Sequence, residues 1–257
     1  MKRVVISALL LVPAAALAAS AFDGTWKTRM DSFKVTGKPD VFQIVDGVYT
    51  CSSCVPEIKV KADGTDQKVS GQSYYDSVAV KVVDAHTVQI TDRKAGKEVF
   101  TVSNTVSADG GVLSGTFTDH TGAQIATGSF SEKRVAAGPA GSHAMSGSWQ
   151  LDQASNGNEA LRTYTYKMTP DQFSMHWNGQ SYDAKFDGKE YPVAGDPGHT
   201  HVTLKKIDSN TVEEIDHRDG KVTDEIRLAA AKDGKTMDIT DKDVQHAQTV
   251  TYTLEKQ

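Results

Sequence analysis

The sequence has only two cysteines, Cys51 and Cys54, which excludes a zinc site built from two C-x-x-C pairs. It also lacks an excess of basic residues, since 28 Lys and Arg stand against 33 Asp and Glu. Phosphate binding needs a basic face, so this balance disfavours a nucleic-acid partner. No G-x-S-x-G elbow, glycine-rich phosphate loop or calcium-loop spacing occurs. We therefore expect a non-enzymatic protein without a cofactor.

Long apolar runs are also missing beyond the N-terminus, and none approaches the ~20 residues that a membrane span needs. The chain opens with Met1-Lys2-Arg3, continues with "VVISALLLVPAAALA" and then reaches small residues. This pattern predicts a signal peptide over residues 1–21, with cleavage after Ala18 or Ala21. We expect an exported soluble protein in a bacterial periplasm or beyond it, where disulfides persist. Without Lys2 and Arg3 its net charge would be 26 − 33 = −7.

An internal repeat organises the rest of the chain. "FDGTWK" at Phe22–Lys27 returns as "MSGSWQ" at Met145–Gln150, a spacing of 149 − 26 = 123 between the tryptophans. "VDAHTV" returns as "IDSNTV", and "ADGGVL" as "KDGKTM", both at a spacing of 124. Collinear matches at nearly constant spacing indicate a duplication. We predict two domains, 22–134 and 145–257, joined by a small-residue linker at 135–144.

Each copy has the pattern of an all-β domain. "DSVAVKVV" alternates Val78, Val80 and Val82 with smaller or polar neighbours, and similar runs follow. Pairs such as Asp46-Gly47 and Asn178-Gly179 lie between the runs and supply the positive φ of tight hairpin turns. About eight antiparallel strands per copy suffice for a small barrel or a two-sheet sandwich.

The Gly-x-Trp motif at the start of each copy resembles the first strand of lipocalins and related calycin barrels. The stretches "FDGKEYPVAGDPGHTHVTLKKIDSNTVEEIDHRDGKV" and "YTCSSCVPEIKVKADGTDQKVSG" resemble a tandem lipocalin-like domain of uncharacterised secreted bacterial proteins. The resemblance covers nearly all of the chain after residue 21. It implies that Trp26 and Trp149 each close the bottom of a barrel.

The Cys51-Ser52-Ser53-Cys54 stretch is compatible with a disulfide clip, a redox centre or half of a metal site. The cysteines occur in the first copy only, so the fold does not require them. Pro56 and the flanking strands leave no helix N-terminus to activate a thiol. In an oxidising compartment a short disulfide across a bend is the favoured interpretation.

His199, His201 and His217 form the densest histidine group and are a candidate metal site. His199 and His201 are two residues apart, so they share one face of a strand. A three-residue turn at Asp208–Asn210 would place His201 opposite His217, because 201 + 217 = 2 × 209. A two-residue turn would instead send His217 to the other face. Exposed polar residues on a strand would give the same sequence pattern.

Three functional hypotheses remain open at this stage. The first is an exported protein that binds a small apolar ligand inside a calycin-like barrel. The second is a structural or envelope interaction module whose barrels are filled by their own side chains. The third is a thiol-redox protein that uses Cys51 and Cys54. An open or a filled interior distinguishes the first two.

Overall fold

A computed structural model describes residues 19–155 and 157–257 of the chain. The predicted signal peptide, 1–21, lies almost entirely outside the described residues. Nearly all regular structure is β, as the sequence predicts. Helical structure in the described part is limited to the 3₁₀ turn Met30–Ser32 and the four-residue helix α1 (Glu159–Arg162), which Asn158 caps. Neither of these segments approaches the length and apolar character needed to cross a membrane.

The strands fall into three groups along the chain. Two short strands come first, β1 (Gly24–Thr28) and β2 (Lys34–Gly37). Ten strands follow: β3 (Asp40–Val45), β4 (Val48–Cys51), β5 (Ile58–Lys61), β6 (Gln67–Lys68), β7 (Ser77–Val82), β8 (Thr87–Lys94), β9 (Lys97–Val106), β10 (Val112–Asp119), β11 (Ala126–Ala137) and β12 (Gly147–Ser155). Nine strands complete the chain: β13 (Thr163–Met168), β14 (Gln172–Trp177), β15 (Gln180–Lys185), β16 (Tyr191–Pro192), β17 (His201–Lys206), β18 (Thr211–Arg218), β19 (Lys221–Ala230), β20 (Thr236–Asp243) and β21 (Gln248–Lys256).

The first barrel contains the ten strands β3 to β12 in two antiparallel meanders, β3 to β5 and β6 to β12. Strand β12 pairs with both β11 and β3, which joins the two meanders into one sheet. The remaining edges belong to β5 and β6. There the side-chain amide of Gln67 donates to the Lys61 carbonyl over 2.9 Å, and its oxygen accepts from the Lys61 N–H over 3.0 Å. This side chain replaces a missing backbone pair and nearly closes the sheet.

The second barrel contains β13 to β21, and its tenth strand is β1, which precedes the first barrel in the chain. Strand β1 lies between β13 and β21 and pairs antiparallel with both. The other two edges meet where Ser181 and Ala194 exchange backbone hydrogen bonds of 3.0 and 2.8 Å. Strand β2 pairs with β21 beside this path. Two nearly closed antiparallel barrels therefore confirm the predicted fold class.

The barrels do not follow the boundaries 22–134, 135–144 and 145–257 that the repeat suggests. The Gly-x-Trp strand of the second copy, β12, completes the first barrel, and that of the first copy, β1, completes the second. Strand β11 also extends to Ala137, inside the predicted linker. Consecutive strands tend to pair, and the short connection after β11 places β12 beside it. The equivalent slot in the second barrel is filled by β1.

Each barrel is packed around its tryptophan. Trp26 and Trp149 are both fully buried, in separate apolar clusters. The indole of Trp26 donates to the Phe22 carbonyl over 2.7 Å, and that of Trp149 donates to the Met145 carbonyl over 2.9 Å. The two copies thus use the same local geometry, and each indole N–H is satisfied as burial requires.

A cation covers each indole ring. The Arg134 guanidinium lies 4.0 Å from the ring centre of Trp149, and the Lys256 ammonium lies 5.2 Å from that of Trp26. Arg134 also donates to the carbonyls of Gly110, Ala144 and Ser146. These contacts join strand ends around the tryptophan, which makes this end of the first barrel the well-packed one.

Candidate functional site

The two cysteines form a disulfide, with 2.04 Å between the sulfur atoms and 5.4 Å between the Cα atoms. Cys51 ends β4 and is buried in the core of the first barrel, and the segment up to Glu57 forms bends. No free cysteine occurs in the described part of the chain. The pair therefore ties a bend to the core, and no described helix begins at either cysteine to activate a thiol.

Of the two strand registers considered for the histidines, the structure has the one that follows from a three-residue turn. His201 lies opposite His217 in the β17–β18 pairing, as the three-residue turn requires. The His217 ring contacts the Thr203 hydroxyl at 3.2 Å, and the His201 ring contacts the His199 carbonyl at 3.1 Å. Within the described ranges no three His, Cys, Asp or Glu side chains come together as a metal would require. The structure thus does not assemble His199, His201 and His217 into a metal site.

A cavity of about 470 Å³ lies where the two barrels meet. The first barrel contributes Tyr75, Asp92 and Phe100, and the second contributes a larger set: Tyr164, Tyr166, Trp177, Asp216, Asp241 and Tyr252. Its size is within the range of small-molecule sites in proteins. The tryptophan cores fill one end of each barrel, and the cavity occupies the other, which we call the open end.

Several strands show why the open ends are not filled. In β8, Val88 is buried in the Trp149 cluster, whereas Asp92, four residues on, faces the cavity. In β20, Ile239 belongs to the Trp26 cluster, and Asp241 follows it on the same side of the strand. Inward positions are therefore apolar near the tryptophans and polar at the open ends.

Loops at the open ends hold the barrels together. The Asn178 side chain accepts from the Gln124 N–H and donates to the Gln124 carbonyl, each over 2.9 Å. The Arg218 guanidinium of the second barrel lies 5.2 Å from the ring centre of Tyr74 in the first. These contacts fix the cavity as a space shared by both barrels.

One wall of the cavity is aromatic. The Tyr164 ring stacks on Tyr166 with 6.0 Å between ring centres and on Trp177 with 5.8 Å. Tyr166 in turn stacks on Phe173 at 5.5 Å, which connects the wall to the Trp26 core. Stacked rings anchored in this way form a rigid aromatic wall that has little side-chain freedom left to lose when a ligand binds.

Three carboxylates face the aromatic wall from within the second barrel. Glu214 is only 7% exposed and accepts a 2.5 Å hydrogen bond from the Tyr182 hydroxyl. Asp216 lies two residues on, and burial together with the Glu214 charge raises its pKa well above the usual range. Burial, with the nearby Asp224 and Asp216 charges, raises the pKa of Asp241 to about 7. Removal from water disfavours the charged form of each carboxyl group.

The first barrel also presents carboxylates to the same cavity, Asp92 and Asp119. Asp92 lies 124 residues before Asp216, so the two are related by the repeat. Burial raises the pKa of Asp92 to about 7. It also raises the pKa of the neighbouring Tyr75 phenol. The duplication has therefore placed an acidic side chain at the open end of each barrel.

A second cavity of about 480 Å³ adjoins the first and shares Tyr164, Asp241 and Tyr252 with it. Its walls include Phe117, Phe130 and Glu132 from the first barrel, and residues of the segment before it: Met30, Phe33 and Val35. Glu132 is 7% exposed, and burial followed by the Asp40 charge raises its pKa to about 7. The space between the barrels is thus apolar and aromatic with a few buried acids.

None of these cavity residues was singled out from the sequence as a site. The signal was present in "TVEEIDHR", where Val212, Glu214 and Asp216 alternate on one face of β18. Acidic residues at alternate strand positions give the same sequence pattern whether they point into a barrel or into solvent. The pattern alone therefore did not identify these acids as inward-facing.

Comparison of the chain with family models, curated proteins and solved structures found no match.

Proposed function

We propose that this protein is an exported, non-enzymatic binding protein that holds a small, largely apolar molecule between its two barrels. The observation that carries the proposal is the cavity of about 470 Å³ lined by both barrels. It combines an aromatic wall with charged and polar side chains that converge on the same space, and such convergent polar groups orient a ligand in small-molecule sites. Export rests on the N-terminal sequence pattern alone.

The packing favours binding over a module with filled barrels. At the tryptophan ends, buried apolar side chains pack around Trp26 and Trp149. At the open ends the strands carry Asp92, Asp216 and Asp241, and no side chain of the described residues occupies the space between them. Protein interiors otherwise pack without such voids, so a retained cavity supports an interior built for an occupant.

A fluorescent apolar probe tests the proposal. N-phenyl-1-naphthylamine, which is neutral and brightens in apolar surroundings, should bind the purified protein at one saturable site. Met175 lines the cavity, so Met175→Trp should fill space and weaken probe binding at least about fivefold. Val135→Trp, on an exposed position of β11, is the matched control and should leave binding unchanged.

The absence of saturable binding, or equal binding by Met175→Trp and Val135→Trp, would contradict the proposal. Native mass spectrometry of the protein from its own source adds an independent observation. A retained small molecule of fixed mass, lost on denaturation, would support the same conclusion.

A further inference from the structure

We propose that the ligand of the shared cavity is an organic cation, an amine or quaternary ammonium with an apolar or aromatic body, whose charge lies between Asp216 and Asp241. This inference rests on the proposed binding function and specifies the chemical class of the ligand.

The first argument is the charge of the lining. Six carboxylates line the cavity. Four belong to the second barrel (Asp196, Glu214, Asp216 and Asp241) and two to the first (Asp92 and Asp119). Asp119 and Asp196 already accept hydrogen bonds from the backbone N–H groups of Thr121 and Thr200. Among the described residues that line the cavity, Arg218 is the single basic side chain. Its guanidinium is already engaged, since it donates to the Thr200 hydroxyl over 2.8 Å and lies 3.8 Å from the Asp224 carboxylate. The same guanidinium also interacts electrostatically with Asp216 and Asp241, so among the described lining residues one basic side chain stands against several acids.

The second argument is that several buried acceptors have no donor. Oδ1 of Asp216 and Oδ1 of Asp241 lack a hydrogen-bond partner among the described residues, and so does Oε2 of Glu132 in the adjoining cavity. Glu132 is 93% buried, which makes its unpaired oxygen costly. The three oxygens come from both barrels and all border the space between them. A positively charged or hydrogen-bond-donating group in that space would satisfy all three acceptors.

The third argument is the aromatic wall. Tyr164 and Tyr252 line both cavities, next to Asp241, and Tyr166 and Trp177 extend the stack. Ring faces attract cations, and the attraction grows when the site is desolvated. Carboxylates beside aromatic faces form the combination that recognises an ammonium group carrying an apolar body. The same carboxylates would repel an anion.

A bare metal ion fits this lining less well. In the described part of the chain the acids do not come together as three ligands around one point. Their spread across the cavity suits a larger cation whose charge is distributed over several methyl or methylene groups.

Two probes of the same shape separate charge from apolar contact. Benzyltrimethylammonium carries a permanent positive charge, and neopentylbenzene is its uncharged isostere. Binding to the purified protein is measured by isothermal titration calorimetry for the cation and by saturation-transfer NMR competition for both probes, at pH 8.5. The cation should bind at least about tenfold more tightly, the difference expected for one or two charge-assisted contacts.

Substitutions then assign the charge to residues. Asp216→Asn and Asp241→Asn should each weaken benzyltrimethylammonium binding about tenfold and leave neopentylbenzene within about twofold. Asp238→Asn is the matched control, because Asp238 lies on the same strand as Asp241 with its side chain exposed. Thermal unfolding of each variant confirms that it is folded.

The outcomes distinguish this inference from the function on which it rests. If the two probes bind the unmodified protein equally, the cation inference is wrong, while the binding function stands. If the cation is preferred but neither Asn variant weakens it, the charge does not lie between Asp216 and Asp241. If neither probe nor N-phenyl-1-naphthylamine binds, the binding function itself is wrong.

Discussion

At the scale of single residues, the buried acids at the open ends are the least expected feature of this protein. A barrel that served only as a scaffold would be more stable with apolar side chains at Asp92, Glu132 and Asp241, because burial of a carboxyl group costs free energy. Each of the three has a pKa raised to about 7, with burial as the leading cause. Destabilising groups of this kind concentrate where a protein binds or reacts.

Asp92 offers the clearest test of this cost, because burial alone raises its pKa to about 7. Both the folded and the unfolded protein hold its proton below about pH 4. Between about pH 4 and 7 only the folded protein keeps the proton, so the group lowers stability as pH rises, and above pH 7 the loss is constant. Asp92→Asn removes the titration, and should raise the free energy of unfolding by roughly 2–4 kcal/mol at pH 8 and by little at pH 4.

The measurement is urea unfolding of Asp92→Asn and the unmodified protein at both pH values. Asp46→Asn, at an exposed turn of the same barrel, is the control and should change stability little at either pH. A stability gain that is equal at pH 4 and pH 8 would mean that Asp92 is not a buried acid.

At the scale of elements, the Gly-x-Trp strand is the unit that completes each barrel. In β1 and β12 a glycine with positive φ, Gly24 or Gly147, precedes the tryptophan by two residues. At Gly147 an added Cβ would lie 2.4 Å from the Ala136 carbonyl, so only glycine fits there. The indole then reaches back to a carbonyl four residues earlier. One short strand therefore sets the backbone turn at its glycine, completes the barrel and places the buried indole in the core.

Replacement of either tryptophan tests this role and its location. Trp26→Ala and Trp149→Ala should each lower the free energy of unfolding by roughly 3–5 kcal/mol, as other buried tryptophan truncations do. Hydrogen exchange should show Trp26→Ala loosening β13 to β21 and Trp149→Ala loosening β3 to β12. The reverse assignment, with Trp26→Ala loosening β3 to β11, would contradict the strand exchange, and two near-neutral variants would remove the barrel-end role.

Much at this scale could be predicted from local sequence. Val78 and Val80 are buried as their alternation indicates, although Val82 is exposed, and Asn178 has the positive φ expected before Gly179. The histidine register depended on a turn length that the sequence left open, and the structure has the three-residue alternative. What local sequence could not settle is which barrel each Gly-x-Trp strand joins. Copies that resemble each other offer similar partners, so the choice depends on chain connection. Local sequence also could not distinguish acids that point into a barrel, such as Asp216, from acids exposed to solvent.

At the scale of the whole molecule, the exchange of strands links the two barrels through the chain itself. The first barrel is contiguous, since β3 to β12 lie within residues 40–155. The second needs residues 24–28 as well as 163–256. The chain leaves the second barrel after β2, forms strands β3 to β12 of the first barrel, and then returns to the second barrel at β13. The open ends of the two barrels meet, and both line the cavity between them.

The contiguity of the first barrel leads to a prediction about fragments. Fragment 38–157 contains all ten strands of that barrel and Trp149, and should fold alone with a cooperative thermal transition. Fragment 22–134, which the repeat alone would select, lacks β12 and leaves the backbone edges of β3 and β11 unpaired. It should give weak near-ultraviolet circular dichroism and associate, because unpaired strand edges attract other chains. If instead 22–134 is monomeric and melts as cooperatively as 38–157, β1 has taken the slot of β12. In that case either Gly-x-Trp strand can complete the first barrel, and the order of strands along the chain does not decide the pairing.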